Sequence, residues 1–95
     1  MLTIDEVKKM KLKIFTKLDC PNCPAAKKIG KQLEEKGAKI EWYDLEKEEG
    51  LSEGVYFGVL STPSFIIVDE SDSEVKAWRG DLPTVELLQK ELKIT

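Results

Sequence analysis

Histidine is absent from the 95 residues, and cysteine occurs only twice, at Cys20 and Cys23. A structural zinc site takes four cysteine or histidine ligands as a rule, so this chain cannot complete one alone. Asn22, Gln32 and Gln89 are the only side-chain amides, while 35% of residues are charged, a bias found in proteins of thermophiles. No apolar run approaches the roughly 18–20 residues that a membrane span needs. The start, Met1-Leu2-Thr3-Ile4-Asp5-Glu6, lacks the basic-then-apolar pattern of a secretory signal. A soluble, cytoplasmic protein without a membrane partner is expected. A clustered positive surface is also missing: the net charge is −3 with acids and bases interspersed, which argues against nucleic acid as a partner. Lys27, Lys28 and Lys31 are the local exception and read as a solvated helix face.

What is present suits one small core. At 41% hydrophobic over 95 residues, a single domain over residues 1–95 is expected, as a monomer. Thr3 and Glu6 have the spacing of a capping box, with Leu2 and Val7 placed as a hydrophobic staple, so residues 1–10 read as a helical extension with its helix over residues 3–10. Residues 11–18 read as a strand carrying Leu12, Ile14 and Phe15. Residues 19–24 are a turn by composition. Residues 24–36 show helical spacing through Ala25 or Ala26, Ile29 and Leu33, with Pro24 suited to the first turn and Gly37 to the stop. Residues 38–45 read as a second strand. A helix over residues 48–57 starts with acids, although Gly50 and Gly54 oppose it. Residues 64–69 form an apolar strand, residues 70–73 a polar turn and residues 74–79 another strand. Asp81 and Pro83 open a last helix whose apolar face carries Val85, Leu88 and Leu92. The order is (α)βαβαββα, with parallel pairing early and an antiparallel hairpin late. Trp42 reads as a core residue, whereas Trp78 alternates with Val75 and Ala77 and is open to either face.

Chemistry concentrates at Cys20 and Cys23. A C-x-x-C spacing between a strand and a helix reads as a redox motif. The first N–H groups of a helix lack internal partners and its dipole favours negative charge, so a thiolate at Cys20 is stabilised there. Cys20 is then the nucleophile that forms a mixed disulfide, and Cys23 resolves it. Lys17 brings positive charge upstream, and Asp19 opposes it. A purely stabilising disulfide is disfavoured, because the loop is too short for a large entropic gain and the cytosol is reducing. Metal carriage by the two thiolates, or a metal site shared between chains, is the alternative.

Three segments resemble known families. Phe15-Thr16-Lys17-Leu18-Asp19-Cys20-Pro21-Asn22-Cys23 resembles the active-site entry of glutaredoxins, where a strand and a lysine precede C-P-x-C. Residues 58–68, containing Ser61-Thr62-Pro63, resemble the cis-proline segment of the thioredoxin family, and Trp78-Arg79-Gly80 resembles the strand and glycine before its last helix. Together they cover residues 11–93. The resemblance implies a thioredoxin-like α/β fold with a central mixed four-stranded sheet flanked by helices. It further implies that Pro63 is cis and faces the cysteines, and that the backbone of Thr62 pairs with an extended substrate or glutathione. Gly80-Asp81 stands where glutaredoxins carry a double glycine and an acid for the glutathione carboxylate. Asp19 replaces the tryptophan that thioredoxins place before the first cysteine, and Ile14 replaces their buried acid. The expected activity is a thiol–disulfide oxidoreductase acting on protein or small-molecule disulfides. It needs no bound cofactor, and a thioredoxin-reductase-like enzyme or glutathione supplies electrons.

Overall fold

The computed structural model describes residues 10–94; the helix expected over residues 3–10 lies, but for Met10, outside the described residues. The elements are β1 (Lys11–Thr16), α1 (Cys23–Glu35), β2 (Ile40–Asp44), α2 (Glu48–Tyr56), β3 (Ser64–Val68), β4 (Glu74–Arg79) and α3 (Val85–Leu92). The sheet order is β2-β1-β3-β4, with β1 parallel to β2 and antiparallel to β3, and β4 antiparallel to β3. The expected mixed four-stranded α/β sheet is therefore present.

Central position explains the composition of β1 and β3. All of β3 is buried, and its side chains alternate between two apolar layers. Phe65 and Ile67 join Leu12, Ile14, Ala26, Leu33, Leu88 and Leu92, while Ile66 and Val68 join Phe15, Phe57 and Val59. Each fully buried aliphatic or aromatic side chain contributes about 1.5–3 kcal/mol.

Element ends depart from the expected ones for local reasons. Gly37 N–H donates to Glu34 O and Ala38 N–H to Leu33 O, both at 3.0 Å. These two bonds cap α1 and hold Ala38 out of β2, which starts at Ile40. The Asp69 carboxylate accepts from Ser71 and Ser73 N–H at 2.9 and 3.0 Å, which ends β3 at Val68. The last helix starts later than Asp81 and Pro83 predict. Its cap is Thr84, whose Oγ1 accepts from Leu87 N–H at 3.1 Å.

Gly50 and Gly54, unfavourable for a helix in isolation, are the buried face of α2. A Cβ on Gly50 would overlap the Asp44 carbonyl, and one on Gly54 would lie 2.6 Å from Leu45 Cδ2. Their bareness lets α2 lie close on β2. Trp42 is not the core residue expected. It sits on edge strand β2, 38% exposed, lying over Gly30 of α1 and donating from Nε1 to Glu34 at 3.1 Å. Trp78 is half-buried against the layer containing Leu12 and Leu88.

One charge lies inside the second layer. Lys13 is 3% exposed, and its Nζ meets Glu53 at 2.6 Å, Asp72 at 3.1 Å and Glu41 at 3.4 Å. Burial alone would lower its pKa, but hydrogen bonds to Glu53 and Asp72 outweigh burial and hold it above the usual lysine value. Burial and the hydrogen bond to Glu41 push the neighbouring Tyr43 up to about 12.

Candidate active site

The cysteine loop is built where β1 runs out. Leu45 N–H donates to Thr16 O at 2.9 Å, and Leu18 N–H donates to the Glu46 carboxylate at 2.7 Å. Both bonds tether the loop to the segment after β2. Asp19 then takes a left-handed conformation (φ 58°), which Asp and Asn tolerate better than other non-glycine residues, and the chain turns into Cys20. Cys20 and Cys23 are joined as a disulfide with Cα atoms 5.3 Å apart. Cys23 is the first residue of α1, and Pro24 follows where a missing N–H costs nothing.

Exposure differs between the two cysteines. Cys20 is 9% and Cys23 3% exposed, so the first cysteine is the more approachable one. Cys23 N–H donates to Cys20 O at 3.2 Å, which folds the loop onto the helix start. No acidic residue occupies the first turn of α1. The helix dipole therefore meets no carboxylate there that would compete with a thiolate at Cys20.

The second wall lies at the same end of the sheet. The Thr62–Pro63 bond is cis, and the next residue, Ser64, is registered against Phe15 near the end of β1. Ser64 is fully buried; its Oγ–H donates to Ser61 O at 2.7 Å and its oxygen accepts from Gly80 N–H at 3.1 Å. One hydroxyl thus ties the proline loop to the connection after β4. Gly80 has φ 70°, and a Cβ there would strike Ser61 Oγ, so both dihedral and space demand glycine. Asp81 is exposed and accepts from Leu82 N–H at 2.8 Å. Thr62 is half-buried, Pro63 buried and Lys17 exposed.

The disulfide at a helix start, the cis-proline loop and the glycine after β4 share one sheet end, and the matched sequence pattern has the same extent. The model of the thioredoxin domain matches residues 10–93. The chain belongs to the thioredoxin family. A probable thioredoxin from Archaeoglobus fulgidus is 35% identical over 60 residues, which are 62% of this chain and 66% of that protein, just under two thirds of its length. Among solved structures, a mutant thioredoxin from Halobacterium salinarum superposes with a TM-score of 0.78 at 16% identity, covering 95% of this chain and 77% of that one. Reduced Schistosoma mansoni thioredoxin gives 0.73 at 19% identity, covering 94% and 81%. At such identities the likeness to the solved thioredoxins is one of fold.

Sequence reasoning missed Ser64 and the apolar rim. A serine after Thr-Pro gives no signal until its two partners, far apart in sequence, are seen. Leu18 and Leu60 are 72% and 96% exposed, one after β1 and one before β3, so they flank the same sheet end. Their position in loops beside C-P-N-C and T-P was the available signal.

Proposed function

We propose that this thioredoxin-family chain is a dithiol–disulfide oxidoreductase that reduces disulfides, protein disulfides foremost. The observation that carries this reading is the Cys20–Cys23 disulfide at the start of α1, at the same sheet end as the cis Thr62–Pro63 bond. In the reduced form, the Cys20 thiolate attacks a substrate disulfide. A Cys20–substrate disulfide forms and one substrate thiolate leaves. The Cys23 thiolate then attacks Cys20 Sγ, the mixed disulfide breaks, and the second substrate thiolate leaves. Two electrons pass to the substrate and the Cys20–Cys23 disulfide remains. A second dithiol, a thioredoxin-reductase-like enzyme, or two molecules of glutathione return it to the reduced state. No bound cofactor takes part. Thr62, Pro63, Gly80 and Asp81 receive the substrate backbone, Lys17 adds positive charge near the thiolate, and Leu18 and Leu60 favour apolar side chains beside the scissile disulfide. The protein works as a monomer in the cytoplasm.

Equilibration in thiol/disulfide buffers tests this. A single reversible two-electron transition between roughly −270 and −120 mV is expected. Cys23→Ser should accumulate the mixed disulfide with substrate, visible as an added mass that a reductant removes. A pair that will not cycle, or that purifies with a stoichiometric soft metal on both thiolates, would replace this reading with metal carriage.

A further inference from the structure

Helix α1 carries its charges in the wrong order for a helix. Lys27, Lys28 and Lys31 lie along its middle, Glu34 and Glu35 in its last turn ahead of the Lys36 cap, and it has neither an acid in the first turn nor a base in the last. The dipole favours an acid in the first turn and a base in the last, by about 0.3–1 kcal/mol per charge. The other two helices do place acids in the first turn: α2 starts with Glu48 and Glu49, and α3 carries Glu86. Among the described helices, only the one that carries the disulfide lacks a first-turn acid.

The lysines are also unspent. Lys11, Lys13 and Arg79 form ion pairs, whereas Lys27, Lys31 and Lys47 form none among the described residues. These three line one groove of about 520 Å³ with Trp42, and the groove reaches Thr16, where the cysteine loop begins. Its acids are Asp44 and Glu49. Asp44 already accepts from Glu46 N–H at 2.9 Å, and Glu49 sits in the first turn of α2, where the dipole holds it. We infer that the Lys27–Lys31–Lys47 face, floored by Trp42, docks an acidic protein whose reactive disulfide or dithiol then reaches Cys20; this rests on the oxidoreductase reading above.

Charge and reach define that occupant. At 1.5 Å rise per residue, Lys31 lies about 12 Å along α1 from Cys23, farther than a small disulfide bonded at Cys20 extends. A long polyanion is disfavoured by the net charge of −3, whereas a protein with a local acidic patch meets the lysines without covering the acidic remainder.

The test uses two peptide disulfides alike except for flanking residues, glutamates in one and glutamines in the other. The rates at which they oxidise the reduced protein are compared from about 20 to about 500 mM NaCl, where the screening length shrinks from about 20 to about 4 Å. The glutamate peptide should react about tenfold faster at low salt, and the ratio should fall to one at high salt. Taking a ratio cancels any effect on the thiolate itself. In K27E/K31E the ratio should invert, with a lysine-flanked peptide now preferred. Equal rates in the unmodified protein at low salt, or a preference that survives in K27E/K31E, would overturn the docking face alone. So would an equally large preference for oxidised glutathione over neutral hydroxyethyl disulfide, which would show that the lysines act at short range on any anion. If none of these disulfides is reduced, the oxidoreductase reading falls as well.

Discussion

A single hydroxyl illustrates how little chain holds the cis-proline loop in place. Ser64 Oγ bonds both Ser61 O and Gly80 N–H, so Ser64→Ala leaves a donor and an acceptor without it. The expected loss is about 1–3 kcal/mol of stability. If the freed loops shift, KM for a peptide disulfide should rise about tenfold, equivalent to about 1.4 kcal/mol of lost binding. Ser64→Thr keeps the hydroxyl and should restore KM. Urea unfolding and steady-state kinetics on the same pair separate the two effects. The cysteines and the proline were legible in the sequence because their types and spacings are specific. Ser64 was not, since its partners lie three and sixteen residues away and meet only through the β3–β4 pairing.

At the level of elements, order and type followed from periodicity and turn chemistry, whereas boundaries and faces needed the third dimension. The α1–β2 boundary moved because Ala38 caps a helix, and Trp42, though it lies over α1, stays partly exposed because β2 is an edge that no composition identifies. The two glycines of α2 separate propensity from packing. Glycine-to-alanine in an open helix stabilises by about 1 kcal/mol. Gly50→Ala should instead destabilise by about 1–3 kcal/mol, because its Cβ meets the Asp44 backbone, which cannot step aside. Gly54→Ala should be near neutral, since the obstructing atom is the end of the Leu45 side chain. Midpoints of urea denaturation for the two variants should therefore differ clearly although the residues sit one turn apart.

Across the whole molecule, Lys13 ties β1 to β2 through Glu41, to α2 through Glu53 and to the β3–β4 turn through Asp72. Removing the ammonium in Lys13→Met strands three carboxylates and should cost about 2–3 kcal/mol, less than a fully buried pair because the carboxylates are partly solvated. The same cluster contributes to stability at both pH extremes. Burial works against the Glu41 carboxylate, but hydrogen bonds from Lys11 and Tyr43 and the Lys13 charge hold its pKa below the usual value. Its contribution is therefore present above about pH 4.3 and lost as pH falls through the folded value. Tyr43, raised to about 12, and Lys13, also raised, contribute stability present below about pH 10 and lost as pH rises further. Glu41→Gln should flatten the acid limb of a stability–pH curve and Tyr43→Phe the alkaline limb. Elsewhere the sheet acts as a partition. The cysteine helix rests on the layer containing Ala26 and Leu33, while the proline loop leaves from the opposite layer through Phe57 and Val59. The cysteine pair and the cis-proline loop thus rest on separate foundations. A directed-evolution library confined to residues 60–62, which lie outside both layers, is then expected to retune which disulfides are accepted, with the bedding of Cys20 and Cys23 left untouched.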